Sequence, residues 1–213
     1  MTLRGFCGSM TALSKLSLLE RLDIQSCPVT GLEALSSCTS LQRLDLSRTA
    51  IEGNLEPLRA LNRLLELRLS YCQKIDGSLE PLVACISLRE LNLEGCFIRD
   101  VVTYRQTTTT TVRGVRGSLA PLGSLRNLEV CNLWGCELFS ASADEVTSRG
   151  ALQSLAACTN LRILVLWGCK GLIGSLEPLV ACTALKKVDV QKCPGLSGIP
   201  QFKESHPGCV TLS

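Results

Sequence analysis

Apolar residues recur along this chain in a short fixed spacing, clearest at Leu161, Leu164, Leu166 and Cys169. Side chains two apart share one face of an extended chain, so the spacing predicts a short strand followed by a bend at the cysteine. The same pattern starts at Leu19, Leu41, Leu64, Leu88, Leu128, Leu161 and Leu185, at intervals of 22, 23, 24, 40, 33 and 24 residues. Substitutions are few: Thr49 stands for a cysteine, and Cys131, Val188 and Val190 stand for leucines. Periods of this length mark stacked repeats.

No strand of this length can bury its leucines alone. Stacked turns can, because Leu22, Leu44, Leu67, Leu91, Leu133 and Leu164 then form one continuous core. Each buried leucine contributes roughly 1.5–3 kcal/mol before chain entropy is subtracted. The strands must lie parallel, with return segments on the opposite side. Pro57, Pro81, Pro121 and Pro178 recur in Leu-x-Pro-Leu runs, where proline can open a short helix. The expected organisation is a half-repeat over residues 1–18, seven repeats over 19–202, and a polar tail over 203–213. Two insertions, at about 97–116 and 137–149, interrupt the repeats just after the strand and its bend.

The repeated Leu-x-x-Leu-x-Leu-x-x-Cys motif resembles the leucine-rich repeat family, over nearly the whole chain. Its cysteine column, with CTSL and CTNL before later strands, is similar to the cysteine-containing subclass known from F-box proteins. The Ile-x-Gly-x-Leu element at Ile51 to Leu55 and Ile75 to Leu79 is closer to the plant-type subclass. The resemblance implies an α/β leucine-rich-repeat solenoid, with a curved parallel sheet on the concave face and short helices or turns on the convex face. It also implies a non-enzymatic module that binds a protein or peptide on the strand face. The cysteine-containing likeness leaves open a substrate-receptor part of a ubiquitin ligase. A start in mid-repeat leaves open a structural fragment of a longer array.

Thirteen cysteines would fit a disulfide scaffold in a small secreted chain. Here they fall into repeat columns: Cys27, Cys72, Cys96, Cys136, Cys169 and Cys193 in one, and Cys38, Cys85, Cys158 and Cys182 in another. Periodic placement points to small buried apolar residues, reduced and directed inward. A zinc site lacks the usual CxxC pair. The first 20 residues hold no apolar run of signal-peptide length, and no stretch approaches a membrane span. The expectation is a cytoplasmic chain without membrane insertion.

Charge alters this picture at one place. The net charge is +3, too small to imply a nucleic-acid partner. Arg99, Arg105, Arg113 and Arg116 against Asp100 give the first insertion four minus one, or +3. The remaining chain holds 18 positive and 18 negative residues (22 − 4 and 19 − 1), so it is neutral. The Thr107 to Thr111 run reads as low-complexity sequence, and the insertion as mobile.

Residues flanking the inward leucines point outward. In the first four repeats these are polar and of mixed charge, as in Arg43, Asp45, Glu66, Arg68, Glu90 and Asn92. The fifth and sixth rows differ: Val130, Asn132 and Trp134, then Ile163, Val165 and Trp167. These tryptophans are the two in the chain, and they share a repeat position. Adjacent strands lie about 4.8 Å apart, so the rings are expected to be neighbours. The expected partner site comprises Trp134, Trp167, Val130, Asn132, Ile163 and Val165, with Arg105, Arg113 and Arg116 of the basic insertion beside it. The inserted loops either cover this patch as a small satellite core or leave it as an anchor for a partner. No small-molecule ligand or cofactor is expected.

No nucleophile motif, phosphate-binding loop or paired carboxylates can be placed. The one histidine, His206, falls in the polar tail, where it reads as solvent-exposed. The chain is expected not to be an enzyme.

Overall fold

The computed structural model describes residues 8–104, 107–114, 116–138 and 150–212. Each repeat motif yields one short strand: β1 (Arg21–Asp23), β2 (Arg43–Asp45), β3 (Glu66–Arg68), β4 (Glu90–Asn92), β5 (Val130–Asn132), β6 (Ile163–Val165) and β7 (Lys187–Asp189). With an eighth strand, β8 (Val210–Leu212), they form one parallel sheet in chain order, so β1 and β8 are its edges. The register is strict: Leu22, Leu44, Leu67, Leu91, Cys131, Leu164 and Val188 stand opposite one another. Those side chains point inward and are buried, and the core runs unbroken from Met10 to Phe202.

The cysteine columns do more than fill space. Cys72, Cys96, Cys136, Cys169 and Cys193 donate their S–H to the carbonyls of Leu46, Leu69, Leu93, Leu133 and Leu166 of the preceding turn, at 2.8–3.4 Å. Thr49 replaces a thiol with a hydroxyl that donates to Leu46 O at 2.6 Å. In the second column Cys38, Cys85, Cys158 and Cys182 donate to Leu13, Leu58, Leu122 and Leu155 at 3.2–3.5 Å. Most of these carbonyls already accept a backbone N–H, so the two thiol ladders add a second, weaker donor from the next turn, which an apolar residue could not do. The described cysteines are free, and all are buried except the half-buried Cys209.

Return segments are the short helices or turns expected on the convex side. The proline runs form 3-10 turns, Glu56–Ala60, Glu80–Ala84, Ala120–Ser124 and Glu177–Ala181, closed by short-range bonds such as Leu58 N–H to Leu55 O at 2.9 Å. A second set of two-residue parallel pairs follows the cysteine bend. Gly8–Ser9 pairs with Val29–Thr30, Glu52–Gly53 with Lys74–Ile75, Arg116–Gly117 with Glu137–Leu138, and Gly174–Ser175 with Leu196–Ser197. Both insertions are therefore shorter than expected. Arg116 and Glu137 belong to the repeat ladder, and Leu138 is buried. Residues 139–149 lie outside the described ones.

The first insertion is a hairpin rather than an irregular threonine loop. Phe97–Tyr104 and Thr107–Gly114 form an antiparallel hairpin, in register from Phe97↔Gly114 to Tyr104↔Thr107. Threonine and valine are β-branched, and their stiff side chains favour extended backbone; a run of five threonines is a strand sequence before it is low-complexity filler. The hairpin neighbours the Lys74–Ile75 strand of the third repeat.

The C-terminal segment is corrected as well. Residues 203–212 do not trail as a tail. Helix α1 (Ile199–Ser205) buries Phe202, the chain turns at His206, and β8 pairs in parallel with β7. His206 stacks on Phe202 with ring centroids 4.6 Å apart, and its backbone N–H donates to Phe202 O at 3.0 Å. It is a half-buried element of this closing turn rather than a loose surface residue.

Candidate functional site

Every turn of the solenoid presents three outward positions on its strand face and a fourth at the following bend. Four of the bends share one hydrogen bond. Asp45, Asn92, Asn132 and Asp189 accept the backbone N–H two residues on, at 3.0–3.1 Å. The bend residue takes a left-handed conformation in every turn: Ser26, Arg48, Tyr71, Gly95, Gly135, Gly168 and Lys192 all have φ between 56° and 74°. This hydrogen bond fixes where the preceding side chain leaves the surface. Asn132 therefore positions Trp134.

Trp134 and Trp167 stack, with centroids 4.9 Å apart and planes inclined by 18°. That spacing matches the distance between adjacent strands, so the sheet itself sets the stack. Val130, Ile163 and Val165 flank it, and all five side chains are half-buried, neither sealed in the core nor fully in water. The ammonium of Lys192 lies 4.4 Å from the Trp167 centroid, on the face that Trp134 leaves open.

Gly135 and Gly168 keep the floor beside the rings clear. A Cβ at either would meet nothing within 4 Å, whereas the equivalent bends of other turns carry Arg48, Tyr71 and Lys192. Gly95 is glycine for another reason: a Cβ there would come within 2.7 Å of the Tyr71 ring. Tyr71 in turn lies under Arg48, whose guanidinium is 5.3 Å from the ring centroid.

Glu94 links these groups. Tyr71 donates its hydroxyl to Glu94 Oε1 at 2.7 Å, and Asn132 Nδ2 donates to Oε2 at 3.1 Å. The tyrosine proton is held by that carboxylate, which pushes the Tyr71 hydroxyl above its ordinary value. Earlier rows carry ion pairs across strands instead. Arg43 meets Glu66 at 3.0 Å, and Arg68 forks onto Glu90 at 2.7 and 2.8 Å while lying 3.8 Å from Glu66. The Glu90 hydrogen bonds hold the Arg68 guanidinium even more firmly protonated than usual.

Of the expected site residues, the structure brings together Trp134, Trp167, Val130, Asn132, Ile163 and Val165. Arg113 stands opposite Ile98 in the hairpin and Arg116 opposite Glu137 in the return ladder. Arg105 lies outside the described residues. Sequence reasoning missed Glu94, Tyr71, Gly135, Gly168 and Lys192. The signal was present in the alternation of glycine with large residues at one bend position.

Among the described residues no three metal-capable side chains converge, and no helix is long and apolar enough to cross a membrane.

No protein-family model matches the chain, and no curated protein matches it in sequence. Solved structures do match in shape. An internalin (inlF) from Listeria monocytogenes superposes over 96% of this chain and 50% of its own, with TM-score 0.68 and 15% identity. The plant peptide hormone receptor RGFR1, in complex with RGF2, matches over 87% of this chain and 30% of its own, with TM-score 0.63 and 20% identity. The leucine-rich repeat domain of the type III effector XopL matches over 99% and 74%, with TM-score 0.60 and 20% identity. This chain thus spans half of the internalin and less of the receptor. Its repeats and its fold are those of a leucine-rich-repeat protein.

Proposed function

We propose that this chain is a non-enzymatic binding module that takes a protein or peptide on the strand face of its fifth and sixth repeats. The observation that carries the reading is the stacked Trp134–Trp167 pair, half-exposed beside Val130, Ile163 and Val165. Aromatic side chains of this kind supply most of the energy at protein interfaces, and a pre-stacked pair loses little rotamer freedom on binding. The second to fourth rows support the same location by contrast, since Arg43, Glu66, Arg68 and Glu90 pair with one another. The plant receptor of the same fold is in complex with RGF2, a precedent for ligand binding on such a solenoid. The two thiol ladders need reduced cysteines, which supports a reducing compartment.

Because both tryptophans of the chain lie in the site, their fluorescence reports on it directly. Peptides selected from a random display library on the full chain are expected to shift or quench that emission saturably. Selected peptides that bind with unchanged emission would place the binding surface elsewhere and overturn the reading.

A further inference from the structure

We propose that Trp134 and Glu94 together form a receptor for an arginine side chain of the bound protein or peptide. This inference rests on the reading of the strand face as a partner site and names the chemistry of that partner.

The ring stack defines the direction. Trp134 and Trp167 sit side by side across neighbouring strands with near-parallel planes. Their ring normals therefore run largely across the strands. Trp167 covers one face of Trp134. The other looks towards the preceding turn, where Glu94 occupies the same repeat position. Trp167 shows what such a face accepts, since its own outer face carries the Lys192 ammonium at 4.4 Å. The outer face of Trp134 has no such cation among the described residues.

Glu94 completes the receptor. Its two oxygens are held by the Tyr71 hydroxyl at 2.7 Å and by Asn132 Nδ2 at 3.1 Å, both neutral donors. Among the described residues it makes no ion pair, unlike Glu66 and Glu90. A carboxylate offers about four lone-pair sites, so each oxygen keeps one free for a second donor. A planar guanidinium fits this arrangement on both counts: it forks onto two carboxylate oxygens and stacks flat on an aromatic face. Asn132 fixes the geometry, since it accepts the Trp134 N–H at 3.1 Å through Oδ1 while holding Glu94 through Nδ2. Next to it, the open floor at Gly135 and Gly168 leaves room for the backbone that delivers the arginine.

The test is a random heptapeptide display library selected in parallel on the wild-type chain, on Glu94→Gln and on Trp134→Leu. Wild type is expected to enrich arginine at one fixed peptide position. Both variants should lose that enrichment while melting as wild type does. A wild-type-selected peptide should bind at least tenfold more weakly when its arginine is replaced by citrulline, which keeps the shape and removes the charge. The citrulline loss should shrink to less than threefold on Glu94→Gln. Enrichment without arginine, or equal binding of the arginine and citrulline peptides, would overturn the proposal. Selected peptides that need the tryptophans but no arginine would sink the arginine receptor and leave the partner site standing. Peptides indifferent to both would sink the two together.

Discussion

Raising the pH from 7.5 to 9.5 should strongly destabilise this protein through its thiols. Burial pushes Cys85 and Cys182 up to about 11 and Cys158 to about 12. It raises Cys96, Cys131, Cys136 and Cys169 further, helped by neighbouring thiols. In the unfolded chain each titrates near 8.5. Below that value both states carry the proton, and the stability due to keeping these thiols neutral is fully present. Above it the unfolded chain loses protons that the native chain keeps, so stability falls by about 1.4 kcal/mol per thiol per pH unit. At pH 9.5, one unit above the unfolded value, the seven named thiols together cost about 10 kcal/mol, against a typical total stability of 5–15 kcal/mol. The assay is urea unfolding followed by far-ultraviolet circular dichroism at each pH, under a phosphine reductant. The double variant Cys85→Ala, Cys182→Ala leaves five of the seven thiols, and its stability should fall by only about 7 kcal/mol over the same range. Stability that is flat across this range would refute the reasoning, because it would mean that the thiols ionise equally in the native state.

Three further outcomes follow from packing and charge. Phe202→Ala should cost about 3–5 kcal/mol in chemical unfolding, because the ring is buried between α1 and the last turns; a tail residue would cost nothing. Gly195→Ala should cost roughly 1–3 kcal/mol, since its Cβ would collide with the Leu172 carbonyl oxygen, and that backbone has no easy way to move. Glu90→Gln should cost no more than about 1 kcal/mol in thermal melts despite the two short bonds to Arg68, because the pair is half-exposed and water screens it.

How far the sequence can be read here depends on periodicity. The inward leucines and both cysteine columns repeat, and a repeat position carries its environment with it; Cys96 is buried for the same reason as Cys72 and Cys136. The tryptophan stack was legible too, because two residues at one repeat position in adjacent turns must sit a strand spacing apart. Segments outside the period gave no such lever. Val210 and Leu212 flank an inward Thr211, so the last strand hides its apolar alternation. The hairpin of the first insertion was written in β-branched residues, whose strand preference carries no repeat signature. Glu94, Tyr71 and Asn132 meet through side-chain reach across turns rather than through column position. A sequence pattern cannot give the rotamers that make those bonds.

The central claim is that the stacked tryptophans anchor a partner. It is tested most directly by Trp134→Ala, Trp167→Ala, measured with a melting curve and with a binding isotherm for a peptide selected on the wild-type chain. An aromatic anchor typically contributes about 2 kcal/mol or more. The double variant should therefore bind at least tenfold more weakly, at about 1.4 kcal/mol per tenfold step, and by more than any charge swap in the first three rows. Its melting temperature should fall only modestly, since both rings are half-exposed. A large loss of melting temperature with unchanged affinity of the folded fraction would contradict the claim and make the pair a satellite core.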